Sequence, residues 1–163
     1  QKDLRRFPTY PEIRFMTYQS ITHGTKGIMY FLYLRQPTLS TAHTHVNTPF
    51  TPEFWNTMKS VGRELKTLYL ALISETSHRL KIGSDHISCL LKHTDNQTWL
   101  IAVNEQNEPS QTTFEFDQPI KKLDVMFEDR SVIFDSNLFT DKFAGYDVHV
   151  YHLELVQSSN DVR

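Results

Sequence analysis

Little in this sequence is in excess, and what is scarce narrows its class. Cysteine occurs once, as Cys89, so no disulfide can form within the chain and the redox compartment stays open. No apolar run approaches the roughly 20 residues needed to cross a bilayer. The longest, residues 27–34, is far shorter, which leaves no membrane-spanning helix. Neither sign of charge dominates: 17 Lys and Arg stand against 19 Asp and Glu, and the formal net charge is -2 with no like-charged cluster. An electrostatic footprint for nucleic acid is therefore missing. Repeats and low-complexity runs are missing too. What remains is a chain of 163 residues, 39% hydrophobic, with 11 Phe and 7 Tyr, the composition of a globular protein with one domain or two small ones. It opens Gln1-Lys2-Asp3, with neither Met nor an apolar signal segment, and so reads as a processed product or a fragment.

The first element is announced by Thr9-Tyr10-Pro11-Glu12, a capping box with proline in the first turn. Ile13, Met16, Thr17 and Ile21 recur at helical spacing and Gly24 stands where a left-handed C-cap residue is wanted, which predicts a helix over about residues 10–23. After a short connection, residues 27–34 are apolar at odd and even positions alike, the pattern of a strand buried on both faces of a parallel sheet. Thr51-Pro52-Glu53 then starts a second helix, expected over about 52–73. Its stripe is Phe54, Trp55, Met58, Val61, Leu65, Leu68, Tyr69 and Leu72, with Lys59, Arg63, Glu64 and Lys66 elsewhere, and Trp55 is expected in the core. Beyond Ser74, six strands are expected at residues 86–92, 98–104, 111–117, 122–127, 131–134 and 147–155, with turn residues between them. These regularly spaced strands predict a small antiparallel sandwich, with Trp99, His149 and Tyr151 in its interior and Cys89 as a small buried filler.

The helix, strand and helix before residue 75 are hard to complete on their own. A strand apolar on both faces needs paired neighbours and helices above and below it, and this chain offers no second strand of that kind. The connection from the strand to the second helix, residues 35–51, is also long, whereas the preceding one is about three residues. In (β/α)8 barrels the long loops follow the strands and build the active site. The chain accordingly divides into residues 1–75, the end of a larger α/β domain, and residues 76–163, a β-sandwich. A long surface insertion without function is the alternative for residues 35–51.

Several segments carry a family resemblance. They are Pro11-Glu12-Ile13-Arg14-Phe15-Met16-Thr17-Tyr18 and His23-Gly24-Thr25-Lys26-Gly27-Ile28-Met29-Tyr30-Phe31, followed by the Pro52-Glu53-Phe54-Trp55 helix with Arg63-Glu64-Leu65-Lys66. Thr98-Trp99-Leu100-Ile101-Ala102-Val103-Asn104, Phe127-Glu128-Asp129-Arg130 and Asp147-Val148-His149-Val150-Tyr151 extend it towards the end of the chain. Together they resemble the end of the catalytic barrel and the carboxy-terminal β domain of bacterial glycoside hydrolases of the β-galactosidase-like kind, with Thr25 in place of the usual Ala. The resemblance implies a terminal helix-strand-helix of a (β/α)8 TIM barrel followed by a small antiparallel β-sandwich. It also implies hydrolysis of O-glycosidic bonds with two carboxylates, both on strands that would precede Gln1, so that this fragment alone is inactive. The partners so implied are a carbohydrate substrate and the remainder of the barrel, and the place is extracellular or periplasmic. A non-catalytic carbohydrate-binding or interaction module is the competing reading.

Substrate contacts are expected where the eighth barrel strand ends. Tyr33 and Arg35 are two apart and share one side of the exit, facing either the ligand or the helix layer. In His43-Thr44-His45 two imidazoles point the same way, but no third ligand is signalled, so His43 and His45 are read as substrate hydrogen-bonders or ordinary loop residues rather than a metal site. No metal or cofactor is expected.

Overall fold

A computed structural model describes residues 7–30, 51–74, 80–94 and 97–156. The first helix, α1 (Tyr10–Thr22), starts as the capping box dictates: Glu12 Oε2 accepts from the Thr9 backbone N–H at 2.7 Å and from its hydroxyl at 2.9 Å. It ends with Gly24 at φ 87°, the Gly24 N–H on the Ile21 carbonyl and the Thr25 N–H on that of Ser20, the paired bonds of a Schellman stop. The second helical stretch divides into α2 (Pro52–Thr67) and α3 (Tyr69–Ile73), hinged at Leu68. The Thr51 hydroxyl caps α2 by accepting from the Phe54 N–H.

Eight strands follow: β1 (Lys81–Ile82), β2 (Ile87–Thr94), β3 (Gln97–Asn104), β4 (Ser110–Glu115), β5 (Ile120–Met126), β6 (Phe134–Asp135), β7 (Leu138–Phe143) and β8 (Val148–Leu155). They form two antiparallel sheets, β1-β4-β7-β6 and β2-β3-β8-β5. Between the sheets lies an aromatic core in which Phe114, Phe139, Phe143 and Tyr151 are sealed from solvent, with the Phe139 ring 4.9 Å from both Phe114 and Tyr151.

The helices lie on the other face of the second sheet. Tyr18, Ile21 and Leu68 pack against Ile101, Val103, Val148 and Val150, while Leu100, Ala102, Tyr151 and Leu153 point into the sandwich. Strands β3 and β8 are thus buried on both faces although every pairing they make is antiparallel. Doubly apolar strands do not require a parallel sheet; a third layer of helices on a sandwich produces the same pattern.

Four expectations need correction. The strand expected over 27–34 is not formed in its described part, since residues 27–30 are irregular and Met29 is 90% exposed. Among the described residues no strand pairs with it, and an apolar run without a ladder partner does not become a strand. Trp55 is half exposed rather than in the core, as Met16 is on α1. The buried faces of α1 and α2 are instead completed by Arg14 and Glu64. The segment expected as a strand over 131–134 contributes only β6, the short arm of a hairpin whose long arm, β7, alternates buried and exposed residues and was not anticipated.

One end of the sandwich is tied by Asn104, fully buried, whose Nδ2 donates to the carbonyls of Glu108 and Ala144, at 2.8 Å each, while its Oδ1 accepts from the Gln106 N–H. There the loop after β7 presses on the loop after β3 so closely that a Cβ on Gly145 would stand 2.0 Å from the Asn107 carbonyl oxygen. Gly145→Ala is expected to cost about 1–3 kcal/mol in urea unfolding, because backbone rather than a flexible side chain must give way. A stability equal to the parent would show that these loops are not in contact.

Candidate functional site at the helix and sandwich seam

Arg14 and Glu64 each stand at helical spacing from buried apolar residues of their own helix. Glu64 is three residues after Val61 and four before Leu68, and Arg14 is four before Tyr18, so each charge falls on a buried stripe. Arg14 Nε donates to Glu64 Oε2 at 2.9 Å, and Tyr18 donates its hydroxyl to the same oxygen at 2.9 Å. Tyr10 donates to Glu64 Oε1, and Arg14 Nη1 donates to the Val148 carbonyl of β8. One carboxylate and one guanidinium therefore join α1, α2 and the sheet. Burial alone would push the Arg14 pKa down, but the Glu64 carboxylate outweighs it and holds the guanidinium above its usual range. Burial first, and then the bond to Glu64, push the Tyr10 phenol up to about 12, and Tyr18 is raised for the same reasons. Both phenols are donors at neutral pH. Arg14 Nη2 is buried and meets no partner among the described residues.

A second, partly buried network lies beside the first. Arg130 grips Asp141 with two parallel bonds, Nη1 to Oδ1 at 3.0 Å and Nη2 to Oδ2 at 2.7 Å, and its Nε donates to Glu128 Oε2 at 2.6 Å. Tyr151 donates to Asp141 Oδ2 at 2.7 Å, and His149 Nδ1 lies 2.7 Å from Glu128 Oε1. Burial would raise the Asp141 carboxyl, but the bonds from Arg130 and Tyr151 hold it below its usual range. Glu128 is lowered likewise, by His149 and Arg130 against its desolvation.

Between the two networks opens a cleft of about 260 Å³, lined by Tyr10, Arg14, Phe127, Glu128, Tyr146 and Asp147 among others. None of the residues expected at the site from sequence can be compared with it: Tyr33, Arg35, His43 and His45 lie outside the described residues. Trp99 is half-buried and stacks on His152 at 4.4 Å, on the helix-facing side of its sheet rather than in the sandwich interior. His149 and Tyr151 are buried as expected. Cys89 is half-buried, and desolvation pushes its thiol well above the usual range, which disfavours the reactive thiolate. Among the described residues no three His, Cys, Asp or Glu side chains are grouped to hold a metal ion. The spacing of Glu64 from Val61 and Leu68 was the one signal that could have revealed the first network, and it is masked by Lys59, Arg63 and Lys66, which do lie on the exposed face.

Comparison with solved structures bears on what this arrangement belongs to. A candidate alpha-galactosidase from Bacteroides fragilis superposes on 92% of this chain with a TM-score of 0.55 at 14% identity. The fold is glycoside hydrolase-like. The chain spans 30% of that structure's length. A glycoside hydrolase family 30 subfamily 8 xylanase from Clostridium acetobutylicum (9% identity, 44% of this chain and 21% of that one, TM-score 0.39) is a looser match. So is an isomaltulose synthase from Klebsiella (16% identity, 62% of this chain and 18% of that one, TM-score 0.43), and neither adds to the fold assignment. No protein-family model and no curated protein matches the chain.

Removing one partner of the Arg14–Glu64 pair strands a buried charge. Glu64→Ala should lose about 3–5 kcal/mol in urea unfolding, whereas the Arg14→Met, Glu64→Leu double variant should lose far less. Equal losses would mean that the pair is not desolvated. The carboxylates of the second network make a pH prediction. Their folded pKa values lie below the unfolded ones of about 4, so their stabilisation is fully present above that pH and is lost as pH falls through the folded values. Asp141→Asn should lower stability at neutral pH and make the decline below about pH 4 shallower, as followed by denaturant titration at a series of pH values. An unchanged acid limb would remove Asp141 from this role.

Proposed function

We propose that this chain is the carboxy-terminal part of a glycoside hydrolase of the β-galactosidase-like kind. In this reading residues 1–75 close a (β/α)8 barrel, residues 76–163 are the β-sandwich that packs on it, and the catalytic carboxylates stand before Gln1. Tyr33, Arg35, His43 and His45 then belong to the loop that follows the last barrel strand and contact the sugar, and the enzyme acts outside the cytoplasm. The observation that carries the proposal is the superposition of nearly the whole chain, helices and sandwich together, on a structure described as a candidate alpha-galactosidase. A second observation agrees with it. Four of the segments that carry the sequence resemblance, around Arg14, Glu64, Glu128 and His149, meet in one seam.

The competing reading, a flat carbohydrate-binding module, asks for aromatic rings on an open sheet face. The outer face of the β1-β4-β7-β6 sheet instead presents Gln111, Thr113, Glu115, Leu138, Thr140 and Lys142, with no aromatic side chain among these positions.

The test is to express the chain alone and joined to the coding sequence that precedes it, and to assay both against nitrophenyl α- and β-galactosides. The joined protein should hydrolyse one of the two anomers and the chain alone neither. Inactivity of the joined protein on both substrates, hydrolysis by the chain alone, or a gene with nothing upstream of Gln1 would each overturn the proposal.

A further inference from the structure

The cleft between the two networks is built in a way that joining two layers does not require. A seam that only packs is filled with apolar side chains at crystal-like density. This one stays open and keeps two aromatic residues at its rim, Phe127 at 38% and Tyr146 at 46% exposure. Both hold left-handed backbone, φ 66° and 59°, an uncommon and costly conformation for a bulky residue, and one that clusters at functional sites. Tyr146 is fixed in place: Phe15 of α1 packs on its ring at 4.9 Å, and its N–H donates to the Gln106 carbonyl at 2.8 Å.

The polar lining is equally preset. Glu128 is oriented by His149 and Arg130. Asp147 accepts from the N–H groups of Ala144 and Val148, at 3.1 Å each. Asp147 Oδ2 also lies 3.4 Å from His149 Nε2, and each carboxylate keeps an oxygen with a lone pair beyond these contacts. Arg14 forms part of the same lining, with its Nη2 sealed from solvent. The two carboxylates repel an anion, while the guanidiniums of Arg14 and Arg130 beside them disfavour a second cation. A neutral ligand rich in hydroxyls suits this lining, its hydroxyls bonding to Glu128 and Asp147 and its C–H faces resting on the two rings.

We propose that this cleft is a saccharide-binding site. The choice of a saccharide over another polyol rests on the hydrolase reading above. In that reading α1 follows a barrel strand, so its first turn, with Tyr10, stands on the barrel face that carries the catalytic loops. The cleft then holds an outlying unit of the same glycan.

The test uses this chain, labelled with nitrogen-15, titrated with soluble galacto-, xylo- and malto-tetrasaccharides. Amide shifts are expected around Phe127, Glu128, Tyr146 and Asp147 with at least one of the three. Phe127→Asn and Tyr146→Asn remove a ring but keep a residue that tolerates left-handed backbone. Each should weaken binding about tenfold, equivalent to about 1.4 kcal/mol, with the rest of the spectrum in place. No shifts with any probe, shifts on another surface, or binding undiminished in both variants would overturn the subsite, whatever the galactoside assay returns. Binding at the cleft together with an inactive joined protein would keep the subsite and remove the hydrolase reading.

Discussion

The buried pair of Arg14 and Glu64 is the constraint on which the relation between helices and sandwich depends. Helices laid on a sheet by apolar contacts alone can slide, because dispersion and hydrophobic burial have little directionality. A guanidinium that bonds a carboxylate on α2 and a carbonyl on β8 has one geometry. The two tyrosine hydroxyls on Glu64 complete its shell, so the desolvation of the carboxylate is offset by three donors rather than one. Tyr18 and Leu68, both fully buried, pack alongside on Ile101 and Val150, so the orientation set by the ion pair is the one in which apolar surface is buried.

The Arg130–Asp141 network has the corresponding task within the sandwich. Arg130 lies in the segment between β5 and β6, Asp141 on β7 and Tyr151 on β8, so these bonds cross from one sheet to the other at the margin of the aromatic core. The hydroxyl of Tyr151 is satisfied in the interior because Asp141 accepts its hydrogen bond there, and Asp141 is tolerated because Arg130 matches both of its oxygens. His149 and Glu128 extend this chain of bonds to the cleft, where it meets the first network through Val148, adjacent in sequence to His149. Helix layer, sandwich and cleft are thus connected by side chains whose charges compensate in pairs.

How much of this was legible in the sequence depended on whether the signal was local. The capping box at Thr9 and Glu12, the stop at Gly24 and the cap at Thr51 involve residues within a few positions of each other, and all three formed as read. Five of the six expected strands were found with small shifts at their ends, because alternation and turn residues are local as well. What failed was long-range. Whether Glu64 is inside depends on Arg14, fifty positions away, and nothing in the helix that carries Glu64 announces such a partner. Trp55 belongs to the apolar stripe by spacing, yet half of it is exposed, while its neighbour Phe54 stacks on Phe7 at 4.4 Å. Strand β7 was missed because Asp141 stands where the alternation wants an apolar residue and Leu138 where it wants a polar one; Asp141 is inward by virtue of Arg130. The cleft was illegible for the same reason, since its walls come from the start of α1 and from two loops that meet only after the sheets are assembled.

The exposed apolar residues of the helix layer raise a separate physical question. Met29, Trp55, Tyr69, Leu70 and Ile73 are each at least half exposed, whereas the outer face of the β1-β4-β7-β6 sheet is nearly all polar. Lys59, Arg63 and Lys66 are exposed on α2 as well, and Ile133 is 92% exposed outside the helix layer, so the apolar surface is a patch around Trp55 and α3 rather than a whole face. Such a patch, on helices whose other side already packs on a sandwich, is compatible with the position between sandwich and barrel that the proposed hydrolase gives them. In that position the Arg14–Glu64 pair would lie between the two halves of the enzyme. A buried, directional bond there would hold the cleft at α1's first turn in a fixed relation to the barrel face above it.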